Sequence, residues 1–598
     1  MEKIEENGVI YYVENQDCVD LDVPDEIREL RFWSFEGKIT NFRLKTLRKR
    51  FPRLASLSIG PDVADIEILN DTFPNVRAVY SKNTNYLTGR ALIKFSGYGY
   101  CLLNSFCLSE IETLDVRGAD GIGPYALDGC KTRKLCGSAA YISVLDEHAF
   151  DHSAFLQYPD ENGCYTFGPW IIGVADNQDH IFVPTGKKIL PSILQNIHIQ
   201  QITFERCTDA MDYKELPPRV CVLDRAARSY ELTALAKKKG VAYFDLTKEH
   251  LYCMTKDGIL FSKDGTELLC CPRERGGTYQ IPETVERIAN YAFYSAKLET
   301  LVFSNTPVRM GKSCFSNCHD LKQIQFGEAI QEIGPEEKVF ALCDSLEDVV
   351  LPPQVKEIGV QAFSLCKRLK RVQVCENSML TKIKDQAFYR CPITHFTIPD
   401  SVTRLGECSL VGTKKVMVQS MENLTIEKVL RAVCAYASTK HENNVQDFQH
   451  CEVWIPNQEE TEVPSCEQKL LIVPQILQYS TQIRTILTLG NFNSSEYRNL
   501  YRFAYPQVLR VELAFLTYQT FQDTESKAYV RKFGKLLATR LVAIKADKDL
   551  QALLSAGLLS KTALSAAREE AENTGNAIAQ AYLLQEIKST SKKSTFSL

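Results

Sequence analysis

One short phrase is written again and again into residues 281–410, and it constrains the fold more than any other feature of the chain. It reads Val-x-x-Ile-x-x-x-Ala-Phe-x-x-Cys-x-x-Leu-x-x-Val-x-apolar. Phe293, Phe315, Phe340, Phe363 and Phe388 mark its beat, Leu410 takes the same slot, and successive beats lie 22 to 25 residues apart. A unit this short cannot enclose a core alone. Each copy must therefore be one coil of a solenoid that buries its apolar face against the coils on either side.

The segment after the Cys slot predicts a short strand in every coil, at 298–303, 321–326, 346–351, 369–374 and 393–398, because its last positions alternate apolar and variable. Pro282, Pro352, Pro353 and Pro399 follow the strands, where they stop further pairing. Val285, Val355 and Val402 should point inward, with Ile288, Ile358 and Leu405 three residues on. Gly311, Gly334, Gly359 and Gly406 are expected where the backbone bends most tightly.

The phrase resembles the BspA-like class of leucine-rich repeat, whose signature is Ile-Gly-x-x-Ala-Phe-x-x-Cys-x-x-Leu. It stands here in full as Ile358, Gly359, Ala362, Phe363, Cys366 and Leu369. The resemblance implies a right-handed repeat solenoid with a parallel β-sheet on one face and short turns elsewhere, a fold used to bind other molecules. It implies no reaction. The expected fold is this leucine-rich repeat solenoid followed by an α-helical C-terminal domain. Its segments are a degenerate N-terminal block over 1–250, a β-hairpin join over 251–280, the regular block over 281–420 and a mixed connector over 421–465. A helical, loosely ankyrin-like domain of helical hairpins follows over 466–588, then a disordered tail over 589–598.

Outside the regular block the signals are weaker. Phe51-Pro52 and Phe73-Pro74 open two coils that use Phe-Pro in place of Ala-Phe, and clearer coils return with Leu127 and Phe150 on the beat. Residues 163–191, rich in Gly, Pro and Asp, predict irregular coils or a loop. A helix is expected over 228–240 with Gly240 as its stop, then a strand over 241–244. Asp257-Gly258 and Asp264-Gly265 are hairpin turn signals. Beyond the repeats, Thr425 should cap a helix over 425–439, and 452–455 should form a strand. Helices are predicted over 469–479, 494–503, 507–515, 526–545, 547–557, 561–572 and 576–588.

Composition excludes little: hydrophobic residues make up 44%, charged residues 24%, and the formal net charge is −4, ordinary values for a soluble folded chain. No basic stripe with aromatic platforms suggests nucleic acid. The opening residues are acidic, without the apolar run of a secretory signal, and no apolar stretch approaches the roughly 20 residues that span a bilayer. The expectation is a cytoplasmic protein without membrane insertion, with the cell surface as the alternative. Of 21 cysteines, Cys130, Cys318, Cys343, Cys366 and Cys391 lie three residues after a beat. Buried free thiols acting as small apolar groups fit this slot better than a disulfide ladder, since Ala296 and Thr413 also occupy it.

No catalytic, cofactor-binding or metal-binding constellation emerges. His148 and His152 sit four apart at a repeat turn, and His450-Cys451 and Cys270-Cys271 are single pairs without partners at ligand spacing. Binding then falls to the outward strand positions Thr300, Gln323, Gln325, Asp348, Arg371, Gln373, His395 and Thr397, accompanied by Val302 and Val350. Beside them Glu299, Lys322, Glu347, Lys370 and Thr394 alternate in sign and should hold the coils in register. The expected role is a non-enzymatic scaffold for a protein partner, with a glycan as the other ligand class. A BspA-like surface adhesin and an enzyme with a site in the C-terminal helices are the alternatives. If the Phe beat is the core, Phe363→Ala costs roughly 3–5 kcal/mol in urea unfolding, and Lys370→Ala costs under about 1 kcal/mol; equal losses would refute the assignment.

Overall fold

The computed structural model describes residues 55–436 except 62, 68–72 and 98, then 450–456, 468–479, 481–487 and 495–594, and four N-terminal strands. The chain divides into two compact units, Met1–Gly258 and Ile259–Leu598.

The first unit opens with an antiparallel pair, Glu2–Glu6 with Val9–Val13. Parallel pairing then runs from Val9–Val13 through Glu29–Trp33 and Ser56–Ile59 to Ala78–Ser81. Ser56 lies opposite Ala78, the register that the Phe-Pro spacing demands, and Phe73 is fully buried; Phe51 lies outside the described residues. Residues 163–191 are more regular than expected. Cys164–Phe167 and Trp170–Val174 form an antiparallel hairpin, because Gly168 takes a left-handed φ of 53° between two runs that bury Phe167 and Ile171. Four parallel strands follow in register: His180–Val183, Gln201–Phe204, Arg219–Val222 and Tyr243–Leu246. The helix Ser229–Ala236 buries Leu232, Leu235 and Ala236 and exits through Gly240 at φ 93°. Its exit turn takes up Val241, whose N–H bonds the Lys238 carbonyl at 3.3 Å, so the next strand starts at Tyr243. Asp257 and Gly258 both have positive φ, 51° and 75°, as a tight hairpin turn requires.

The second unit begins with the hairpin Ile259–Ser262 and Glu267–Cys270. Here Gly265 is left-handed and the Asp264 carboxylate accepts from Thr266 N–H at 3.1 Å, which gives a longer loop than the two-residue turn. The regular coils follow. Leu298–Val302 pairs in parallel with Gln323–Gln325, and Asp348–Leu351 with Arg371–Val374. Val285, Val355, Val402, Ile288, Ile358 and Leu405 are all buried. The beat residues make a continuous column: ring centroids are 4.8 Å apart for Phe293 and Phe315, 5.0 Å for Phe315 and Phe340, and 5.4 Å for both Phe340–Phe363 and Phe363–Phe388. Stacked pairs of this kind contribute about 0.5–1.5 kcal/mol each beyond the area they bury.

Around each ring the backbone is left-handed at two positions. The residues two before the beat, Tyr291, Ser313, Lys338, Gln361, Gln386 and Cys408, have φ between 50° and 61°. So do those two after it, Ser295, Asn317, Leu342, Leu365 and Arg390, with φ between 59° and 66°. The N–H groups of every second residue, from two before the beat to two after it, point to one side. Here the next coil supplies the acceptors. Gln361, Phe363 and Leu365 donate to the carbonyls of Asp385, Ala387 and Tyr389 at 3.0, 2.8 and 2.7 Å, and the other coils repeat the pattern.

Two sequence expectations change in detail. Gly334 is left-handed, but Gly311, Gly359 and Gly406 are needed for close approach, not for bending. A Cβ on Gly311 would fall 2.8 Å from the Ile288 carbonyl oxygen, and one on Gly359 or Gly406 would collide with the backbone of Gly334 or Asp385. The cysteines of the slot are free thiols, but they are not merely apolar filler. Cys318, Cys343, Cys366 and Cys391 point Sγ at the carbonyls of Phe293, Phe315, Phe340 and Phe363, at 3.1, 3.3, 3.2 and 3.0 Å. Burial pushes the Cys318 thiol up to about 12, so it keeps a proton to donate at neutral pH.

The helix Ile426–Val433 follows the last coil, capped by Thr425 Oγ1, which accepts from Lys428 N–H at 3.4 Å. It is shorter than expected, because Ala435–Tyr436 leaves to pair with Ile476–Leu477. Lys415–Val418 pairs with His450–Pro456, which in turn pairs antiparallel with Gln468–Pro474. The expected helix over 469–479 is thus a strand. Its run Leu470-Leu-Ile-Val473 suits either a buried helix or a doubly covered strand, and the partner at 450–456 decides. From 481 on the described residues are mainly helical. Gln507–Phe521, Thr524–Ala543, Asp547–Ser555, Lys561–Asn573 and Ala577–Ser594 pack around Leu513, Val530, Leu537, Leu541, Leu550 and Leu564. The last helix passes the expected start of the tail at 589 and reaches Ser594, since no Gly or Pro follows Lys588 to stop it.

Lys338 is exposed and holds φ at 61°. Lys338→Gly should therefore stabilise the protein by roughly 0.5–1 kcal/mol in urea unfolding, the left-handed strain relieved less the added freedom of the unfolded chain. A loss of stability would show that the turn does not hold that conformation.

Candidate interaction face

The outward strand positions form rows rather than one continuous strip. Thr300 lies opposite Gln323, and Val302 opposite Gln325, at the edge of one sheet. Asp348 opposes Arg371, Val350 opposes Gln373, and Arg371 is bridged to His395. Thr397 belongs to the next sheet, opposite Met417. All eight predicted residues are exposed or half-exposed. Two of them spend their charge on each other, since Arg371 donates from Nε and Nη2 to the two Asp348 carboxylate oxygens. His395 Nε2 lies 3.1 Å from Thr397 Oγ1, and burial together with Lys415 pushes its pKa down, so the ring is neutral at pH 7.

In the register column, Lys322 Nζ meets Glu299 at 2.7 Å as expected. Lys370 meets Glu347 through the backbone, its N–H donating to the Glu347 carbonyl at 2.9 Å, and the side-chain ion pair of those coils forms one position along, at Asp348 and Arg371.

Two richer patches escaped sequence reasoning. At the carboxyl end of this face, Lys415 Nζ sits 4.6 Å from the centre of the half-buried Trp454 ring, beside His395. The alternation Glu452-Val-Trp-Ile455 was the available signal, because it puts Trp454 outward once 450–456 is joined to the sheet. In the first unit, His180, Gln201, Arg219 and Tyr243 occupy the first register position of four adjacent strands. They line a depression of about 430 Å³ together with Asp179 and Gln200. Arg219 lays its guanidinium 4.3 Å from the Tyr243 ring centre and makes no ion pair among the described residues. His180 is fixed by Thr203 Oγ1, 2.8 Å from its Nε2. The four strands carry no Phe beat of the regular kind, so the search for the phrase passed over them.

His148 and His152 address different carboxylates, Asp151 at 3.3 Å and Asp128 at 3.0 Å. Among the described residues no group of three His, Cys, Asp or Glu side chains could hold a metal ion, and no helix is long and apolar enough to cross a membrane.

Residues 286–417 match the BspA type leucine rich repeat region in six copies. This segment is a BspA-type array. No curated protein matches the chain. Among solved structures, it is similar to a leucine rich cell surface protein of Faecalibacterium prausnitzii at 14% identity, over 68% of this chain and 82% of that one, with a TM-score of 0.25. A leucine-rich repeat protein of Eubacterium ventriosum is similar at 11% identity, over 68% and 91%, with a TM-score of 0.25. The pneumococcal vaccine antigen PcpA is similar at 14% identity, over 74% and 94%, with a TM-score of 0.23.

Proposed function

We propose that this protein is a non-enzymatic interaction scaffold that holds a partner protein on the outward faces of its parallel sheets. The observation that carries this reading is the stacked pair Arg219–Tyr243, a preorganised cation and aromatic beside a depression on an otherwise regular strand surface. Arg, Tyr and Trp side chains held rigid at a surface are the types that dominate binding energy at protein interfaces. The Lys415–Trp454 pair is a second such anchor. The predicted row from Thr300 to Thr397 serves as complementary surface beside the Lys415–Trp454 anchor, within the second unit. A partner would read that row by shape and hydrogen bonding, because its strongest charges, Asp348 and Arg371, already neutralise each other.

A surface adhesin is the second reading, supported by the BspA-type repeat over 286–417. The two differ in where the native protein is found. Antibody labelling of intact cells favours the adhesin, and labelling only after lysis favours the scaffold inside the cell.

The scaffold reading is tested with a partner captured by the full chain from its native host and then purified. Arg219→Ala and Trp454→Ala should each weaken its binding about tenfold or more in surface plasmon resonance, without lowering the thermal midpoint. Glu336→Ala, on the turn side of a coil, should leave binding unchanged. Full affinity in both face variants, with loss in the turn variant, would move the interface to the other side of the solenoid.

A further inference from the structure

Within the second unit, the helices Gln507–Phe521, Thr524–Ala543 and Asp547–Ser555 enclose a cleft of about 190 Å³. Leu513, Leu516, Leu537 and Leu541 form its walls. Glu512 and Asp549 stand at its polar end. The Glu512 side chain is only 15% exposed, and its Oε1 finds no hydrogen-bond donor among the described residues. Arg540 forms an ion pair with that oxygen, its Nε 3.5 Å away, without a hydrogen bond between the two atoms. A buried carboxylate oxygen without a donor is costly unless something fills the site.

The charge at this end is unbalanced. Two carboxylates face one guanidinium, and burial raises the pKa of Glu512 against the opposing pull of Arg540, with Asp549 adding to the rise. His450, which also lines the cleft, adds no cation, since burial pushes its pKa down. A ligand that fits must bring hydrogen-bond donors and positive charge to the polar end and an apolar stem to the leucines. A cavity of about 150 Å³ takes a benzene-sized guest, so this one admits a ligand of about six or seven heavy atoms.

We propose that this cleft binds a primary ammonium on a short apolar stem, the ammonium donating to Glu512 Oε1 and to Asp549 while the stem lies along Leu513, Leu516, Leu537 and Leu541. A free aliphatic amine and a lysine side chain share this chemistry. The proposal is independent of the scaffold reading, because none of these residues lies on the solenoid face.

Isothermal titration calorimetry on the full chain tests it with hexylammonium, hexanol and hexanoate. Hexylammonium should bind at least about tenfold more tightly than hexanol, as expected for a hydrogen bond to a charged group, and hexanoate should not bind. Glu512→Gln should abolish the preference for the amine. Ile544→Trp, a substitution at the exposed rim, should block all binding and serves if Glu512→Gln does not fold. Nα-acetyl-lysine amide then separates the sources: binding at least as tight as hexylammonium assigns a lysine side chain, and weaker binding assigns a free amine. Equal affinity for hexanol and hexylammonium, an unchanged preference in Glu512→Gln, or no heat with millimolar hexylammonium would each overturn the proposal.

Discussion

The coils depend on one another for their backbone hydrogen bonds on two sides at once. On one side the strands pair in parallel. On the other, a turn with two left-handed residues aims three N–H groups per coil at the carbonyls of the next. Such a turn is strained, at about 1–2 kcal/mol for each left-handed residue with a side chain, and a coil on its own would leave those donors to water. Only stacking satisfies them, which is why the unit of stability is the pair of neighbouring coils and not the coil.

The turn ladder is also directional. Its N–H groups all point toward the carboxyl end of the array, so the final turn requires acceptors from something that is not a coil. The helix Ile426–Val433 supplies them: Cys408 N–H bonds the Arg431 carbonyl at 2.8 Å, and Leu410 N–H bonds the Ala432 carbonyl at 2.9 Å. The last turn of a helix is where carbonyls stand without intrahelical partners. Two sets of unsatisfied groups thus complete each other. The helix is a terminal cap of the repeat array in hydrogen bonding as well as in apolar contact, where Val429, Leu430 and Val433 are buried.

Most of the stack was legible in the sequence because burial repeats. Phe, Ala, Cys, Ile and Val each return to one slot, and every such slot is interior. What the sequence hid follows from interactions that leave no residue signature. From Tyr291 to Arg390 the left-handed turn positions carry Tyr, Ser, Asn, Lys, Leu, Gln and Arg and no glycine, since the inter-coil bonds impose the conformation whatever the side chain. Gly334 does mark a bend, but Gly311, Gly359 and Gly406 do not, for the same reason: a Gly records a missing Cβ, and only the neighbouring coil shows whether φ or space requires it. Residues 470–473 became a strand because 450–456 offered an edge, a fact that no window around 470 contains. The thiols were placed correctly in the core, but their donation to the Phe carbonyls depends on a coil more than twenty residues away.

The same logic locates what a partner could recognise. Interior slots are held by the stack and are nearly alike from coil to coil, so they distinguish nothing. Discrimination must come from outward positions, and these differ in how far their side chains are already committed. Asp348 and Arg371 bond each other, Lys322 bonds Glu299, and His395 leans on Thr397, so a ligand must compete with each existing contact. Arg219 is different. Its guanidinium is held by stacking on Tyr243, which fixes its plane and leaves its five N–H donors without a carboxylate partner among the described residues. A cation that is both rigid and without an ion-pair partner among the described residues has lost its ordering entropy within the fold already, so a partner that reached it would not have to supply that cost.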